Sequence, residues 1–276
     1  TEDGGLYWLP YTFAVDTWVA ANDDFDHAGI SIEELQERLQ ELGSERAPFE
    51  SFVTSEWLIG WYSRFALGKF VDQTSAACSF DSPEFSAALQ MCKDWGQSGG
   101  TETLGQRCVL EFENIQDIIR IGTIGELYHD NYCYVGFPTS SGNGSMFELL
   151  SCFAISAQGD KQEAAWEFIR FALGNLQPDG LLGVGIPASQ SALDERLQFL
   201  IETGQTFLEF THKIKPSDAD AFRALIENTS MVENSEQGIL KIITDESVSF
   251  FTGSKTASEA AALIQNRVQL YLMENR

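Results

Sequence analysis

Residues 134–174, YVGFPTSSGNGSMFELLSCFAISAQGDKQEAAWEFIRFALG, constrain the fold of this chain more than any other stretch. They pass from the end of one strand through a polar loop holding Pro138, Gly142 and Gly144, into a second strand over 149–156, and then into a helix. Asp160, with Glu163 three residues on, has the spacing of an Asp-led capping box at the helix start. Ala164, Ala165, Phe168, Ile169, Ala172 and Leu173 recur at helical spacing, which predicts one apolar face that packs on a sheet. Strand, glycine loop, strand and helix in that order make a crossover between two bodies.

The order Gly136-Phe137-Pro138-Thr139, a glycine-rich loop, Ala154-Ile155-Ser156 and Ala164-Ala165-Trp166-Glu167-Phe168-Ile169 resembles the extracellular solute-binding proteins of ABC importers, family 1. That family includes the maltodextrin- and oligosaccharide-binding proteins. Phe251-Thr252-Gly253, Ser258-Glu259-Ala260-Ala261 and Ile264-Gln265-Asn266-Arg267-Val268, followed by Tyr271-Leu272, resemble its closing helix. No single motif is diagnostic; order and spacing along nearly the whole chain carry the likeness. The resemblance implies an α/β fold of the periplasmic-binding-protein type II. It implies a carboxy-terminal lobe over 1–143 and a helical closing part of the same lobe over 190–276. Between them, 144–189 would be a partial amino-terminal lobe with the hinge crossings. Leu9-Pro10-Tyr11 resembles the first strand that crosses into the carboxy-terminal lobe, so the resemblance also implies that the first part of the amino-terminal lobe is not in this chain. The function it implies is capture of a solute, a sugar or oligosaccharide, outside the membrane, by a periplasmic protein or membrane-anchored lipoprotein. Hinge closure around the solute and delivery to ABC permease subunits would follow, with no catalysis and no cofactor.

Composition agrees with such a chain and excludes others. With 276 residues, 43% of them hydrophobic, it can bury the cores of two modest lobes. Lys and Arg total 17 against 41 Asp and Glu, a formal charge of -24, which argues against nucleic acid and against anionic membrane surfaces as partners. The acidic residues are spread rather than blocked, as on a solvated surface. No apolar run approaches the roughly 18 to 20 residues needed to span a bilayer, and the opening TEDGGLYWLP has no signal-peptide pattern. The five cysteines, Cys78, Cys92, Cys108, Cys133 and Cys152, lack CxxC spacing and read as small buried hydrophobes, with a disulfide between two of them left open by the extracytoplasmic family.

Taken in order, residues 5–21 form an aromatic, β-branched run in which Pro10 predicts two extended pieces rather than one central strand. Asn22, Asp24, Asp26 and Glu33 have a calcium-loop spacing, but His27 stands where the loop needs glycine, and no metal is assigned. Ser31 and Glu34 instead form a capping box for a helix over 32–42. A helix over 49–72 is the most aromatic segment, with Trp57, Trp61, Tyr62 and Phe65. Trp61 and Phe65 read as core. Trp57 follows Thr54-Ser55-Glu56 at the helix start, where a ring and a carboxylate suit a sugar: the ring covers the apolar C–H face and the carboxylate takes hydroxyl hydrogen bonds. Asp81 and Glu84 box a helix over 83–96. Residues 107–112 read as a short strand, and the family resemblance places the loop after it at the ligand cleft. Helices over 191–202, 219–228 and 235–251 precede a last one boxed by Thr256 and Glu259.

Together these readings nominate Tyr11, Asp16, Glu56, Trp57, Phe112, Glu113 and Asn114 as ligand-binding residues that converge on one cleft. A bland alternative puts Trp57 and Phe112 in the core and makes Asn114 a helix cap. Hydrolase, metalloprotease, phosphate-loop and dinucleotide motifs are absent, and His27, His129 and His212 lack metal-ligand spacing. The competing functions are a protein-interaction domain and a glycoside hydrolase built on two carboxylates. A strand and helix short of sheet neighbours within 144–189 would be sticky, so the chain is expected either to pair that edge with a second copy of itself or to leave that segment the most mobile part of the fold.

Overall fold

A computed structural model describes residues 8–43, 46–97, 107–139, 142, 144–175, 185–207, 210–232 and 236–275. In chain order its elements are β1 (Leu9–Ala21), α1 (Ile32–Leu42), α2 (Ser55–Phe70), β2 (Val71–Asp72), β3 (Ala77–Cys78), α3 (Pro83–Gln97), β4 (Glu111–Ile115), α4 (Ile119–Leu127), β5 (Tyr132–Tyr134) and β6 (Met146–Phe153). There follow α5 (Gln162–Asn175), β7 (Ile186–Pro187), α6 (Gln190–Glu202), β8 (Gln205–Phe207), β9 (Phe210–His212), α7 (Pro216–Asn228), β10 (Met231–Val232), α8 (Gln237–Phe251) and α9 (Ala257–Glu274). They form two compact units. The first holds Thr1–Ala28, Glu113–Gly136 and Ser145–Glu233; the second holds Gly29–Phe112, Phe137–Gly144 and Asn234–Arg276.

The first unit is built on a sheet of order β10-β6-β1-β4, with β5 and β7 also paired to β1. β1 runs as one strand through Pro10, against the expected break. Its antiparallel pairing with β6 runs from Leu9 opposite Phe153 to Asp16 opposite Met146, and the register shifts between Pro10 and Thr12. A proline cannot donate to the ladder, and an irregularity at that point accommodates the missing N–H. On one face Phe13, Val15 and Val19 of β1 and Ile115 of β4 meet Ile121 and Ile124 of α4, Leu197 and Leu200 of α6, and Phe222 of α7. Period-2 alternation along β1 and period-3.6 stripes on the helices bring these side chains to one core.

Helix α5 departs from its predicted packing. Ile169 and Ala172 are buried, yet Phe168 and Phe171 are 52% and 54% exposed. The apolar arc of the helix is wider than the surface that covers it. The expected Asp160 box is also replaced, because the helix begins at Gln162, whose amide donates to the carbonyls of Ser156 and Ala157.

The second unit is helical, with α2 against α3 and α8, and α8 against α9. Leu58, Ile59 and Trp61 of α2, Phe85, Leu89 and Cys92 of α3, Ile239 and Ile243 of α8, and Ile264 and Val268 of α9 are buried. Gly96 lets α3 touch the start of α2: a Cβ there would lie 2.4 Å from Ser55 Oγ. The predicted boxes of Ser31 with Glu34 and of Thr256 with Glu259 are both formed. For α3, Ser82 rather than Asp81 does the capping, its Oγ accepting from the Phe85 N–H at 3.2 Å. The strand predicted over 107–112 begins instead at Glu111, since Val109 and Leu110 spend their N–H groups on the carbonyls of Ala47 and Pro48. All five cysteines are free thiols.

Candidate functional site

Strand β4 sorts its adjacent polar residues Glu113 and Asn114 to opposite faces, as the period of 2 requires. Asn114 belongs to this strand and is not a helix cap. Its Nδ2 donates to Asp16 Oδ1 of β1 at 2.5 Å and to Glu148 Oε2 of β6 at 3.1 Å, so a single amide bridges carboxylates from two other strands. Asp16 is 8% exposed, while Asn114 and Glu148 are half-buried. Close by in sequence, Thr17 Oγ1 and Ser145 Oγ form a buried hydroxyl pair at 2.8 Å.

Glu113, on the opposite face, is 6% exposed and turned toward α4. Its two oxygens accept from Arg120 Nε at 2.8 Å and Nη2 at 2.6 Å, a bidentate fork that fixes β4 to the first turn of α4. The neighbouring phenols belong to the same polar layer. Tyr132 donates to Asp218 Oδ1 at 3.3 Å, and Asp218 Oδ2 accepts from the Lys215 N–H at 2.8 Å, closing the start of α7. Burial pushes the Tyr134 phenol well above its ordinary range, with Tyr132, Asp218 and Glu113 adding to the effect. Tyr11 stands apart from both groups: it is buried, with its ring edge-on to Phe153 at 5.6 Å.

The other nominated residues lie in the second unit. Thr54 caps α2, its Oγ1 accepting from the Trp57 N–H at 3.3 Å, and this sets Glu56 and Trp57 in the first turn. Both are half-buried. The Trp57 ring meets Trp61 at 5.2 Å between centroids, Phe112 edge-on at 5.0 Å and Phe52 edge-on at 6.2 Å. Trp61, buried as expected, continues the group to Phe65 and Phe137. Glu50 holds Phe112 in place by accepting its N–H at 2.7 Å. The aromatic group thus runs from a buried end at Trp61 to an open end at Phe52, which is 53% exposed.

The structure therefore joins Asp16 and Asn114 within the first unit, sets Glu56, Trp57 and Phe112 within the second, and gives Glu113 and Tyr11 to the interior of the first. Sequence reasoning missed Glu148, Arg120 and Phe52. Glu148 had a visible signal as the one charged residue in the strand MFELLSCF. Arg120 had none, because its role depends on where α4 lies.

Neither a protein-family model nor a curated protein matches the sequence. Solved structures match nearly the whole chain. A de novo designed cysteine esterase, ECH19, has a TM-score of 0.61 at 15% identity, over 99% of this chain and 74% of its own. The extracellular solute-binding protein family 1 from Alicyclobacillus acidocaldarius has a TM-score of 0.58 at 13% identity, over 98% of this chain and 73% of its own. The fold is that of the periplasmic solute-binding proteins. A cyclic α-maltosyl-1,6-maltose binding protein from Arthrobacter globiformis shares this solute-binding fold, with a TM-score of 0.57 at 14% identity over 99% of this chain and 73% of its own. Among the described residues, no helix of this periplasmic-binding fold is long and apolar enough to cross a membrane, and no group of His, Cys, Asp and Glu is placed to hold a metal ion.

Proposed function

We propose that the chain binds a sugar or oligosaccharide outside the membrane and passes it to the permease of an ABC importer. The observation that carries this reading is the half-buried Trp57, held by the Thr54 cap and flanked by Phe112 and Phe52. An aromatic group with a buried end and an open end offers a pyranose the apolar surface its C–H face needs. Within the first unit, Asp16, Asn114 and Glu148 offer two carboxylates and an amide, groups that suit sugar hydroxyls. The fold adds to the reading, since one solved structure of this fold is a binding protein for a cyclic maltosaccharide.

Hinge closure belongs to the same proposal: a solute that binds the closed form more tightly than the open one drives the motion by that difference in affinity. The extracytoplasmic location, the permease partner and the absence of turnover are part of this reading. A thermal-shift screen with maltotriose, xylotriose and cyclic maltosyl-maltose tests it, run beside chromogenic glycosides of the same sugars. The reading expects a raised melting temperature with at least one saccharide and no chromophore release. Release that depends on Asp16 or Glu148 would favour a hydrolase instead.

A further inference from the structure

Asn114 meets Asp16 and Glu148 through its nitrogen, and that choice of atom fixes what the three side chains can offer a solute. An ionised carboxylate only accepts hydrogen bonds, so the amide has to turn its NH2 group to both of them. Its two hydrogens are then spent, one on Asp16 Oδ1 and one on Glu148 Oε2. Asn114 Oδ1 and Glu148 Oε1 keep their lone pairs, with no hydrogen-bond partner among the described residues. Both residues are half-buried, so water and solutes reach them. Asn114 and Glu148 therefore offer acceptors alone, beside two carboxylates that one nitrogen holds close together.

Resting on the reading that these residues belong to a saccharide site, we propose that the chain selects its saccharide by charge: a protonated amino sugar binds in preference to its neutral counterpart, and the corresponding uronic acid is refused. A neutral sugar hydroxyl can donate to Glu148 Oε1 or Asn114 Oδ1, and so can each N–H of an ammonium group, which also brings a charge opposite to the carboxylates. Hydrogen bonds with an ionised partner are roughly twice as strong as neutral ones, and an ammonium on Glu148 makes both partners ionised. The carboxylate of a uronic acid has no hydrogen to give, so it meets Glu148 with two acceptors and two like charges in contact. The formal charge of -24 acts in the same direction at longer range, drawing cationic solutes toward the protein and repelling anionic ones.

Calorimetric titration slightly below neutral pH, where a sugar amine is protonated, compares cellotriose with its glucosamine and glucuronate analogues, three solutes of one ring and linkage, beside maltotriose and xylotriose. The glucosamine trimer is expected to bind about tenfold more tightly than cellotriose, and the glucuronate trimer at least about tenfold more weakly. Glu148→Gln keeps the oxygen that Asn114 holds and puts an NH2 group where Oε1 stood, so an acceptor becomes a donor. In that variant the preference for the amino sugar falls to about threefold or less and the glucuronate trimer gains about tenfold, whereas a loss of packing alone would weaken all three alike. A glucosamine trimer no tighter than cellotriose, a glucuronate trimer as tight, or a preference that Glu148→Gln leaves unchanged overturns the charge selection while the saccharide reading stands. So does binding of maltotriose or xylotriose without binding of the glucosamine trimer. No binding of any saccharide removes both.

Discussion

Replacing Arg120 by methionine keeps the stem of the side chain and removes only the fork that holds Glu113. The carboxylate left behind is 6% exposed and has lost both of its charged donors. Removing one partner of a fully buried ion pair costs about 3 to 5 kcal/mol. The Arg120 side chain is itself 40% exposed, so water reaches the pair from that side and the cost falls to about 2 to 3 kcal/mol. At about 2 to 4 °C per kcal/mol for a protein of this size class, the melting temperature drops by roughly 4 to 12 °C. Glu113→Gln, which removes the charge but keeps an oxygen for Arg120, costs about 1 to 2 kcal/mol. The double variant Glu113→Leu with Arg120→Met returns to within about 1 kcal/mol of the parent, because no uncompensated charge remains. Urea unfolding at pH 7, followed by circular dichroism, gives all three values and the coupling energy between the two positions. An Arg120→Met variant within about 0.5 kcal/mol of the parent would refute the reasoning, since that is the scatter of an ordinary surface substitution.

Gly96→Ala sets a Cβ 2.5 Å from the Ser55 backbone nitrogen and 2.8 Å from its Cα, so α3 and α2 must part; the same unfolding assay should show a loss of about 1 to 3 kcal/mol. Gly144→Ala sets a Cβ 1.7 Å from the Phe137 carbonyl oxygen, and a loss of about 2 kcal/mol or more is expected from the forced backbone shift. Burial, followed by the charge of Glu84, raises the Tyr62 phenol from 10.0 to about 12. The unfolded chain therefore releases this proton first, and the contribution of Tyr62, fully present below pH 10, is lost as pH rises toward 12. Melting temperatures across that window should fall less steeply for Tyr62→Phe than for the parent.

Features fixed by neighbours in sequence were legible before the structure. The boxes of Ser31 with Glu34 and Thr256 with Glu259 depend on a three-residue spacing alone, and both form as written. Position 82 shows the limit, because Ser82 and Asp81 are both acceptable caps and the backbone path into α3 chooses between them. Pro10 suggested a break because the sequence does not reveal that β6 tolerates a register shift beside it. The place of Trp57 in the first turn of a helix capped by Thr54 was legible in the sequence. Glu113 was misplaced for a physical reason: neighbouring residues of a strand point to opposite faces, so Glu113 and Asn114 cannot both serve one surface, and only the pairing of β4 decides which one does.

A calorimetric titration of the parent and of Trp57→Ala with the same saccharide tests whether Trp57 lies at a saccharide site. Maltotriose, xylotriose and cyclic maltosyl-maltose are the probes. Saturable binding of at least one of them to the parent is expected, weakened in Trp57→Ala by about 1 to 3 kcal/mol, roughly 5- to 150-fold, while the variant still unfolds cooperatively. No heat with any of the three, or equal affinities for parent and variant, would contradict it.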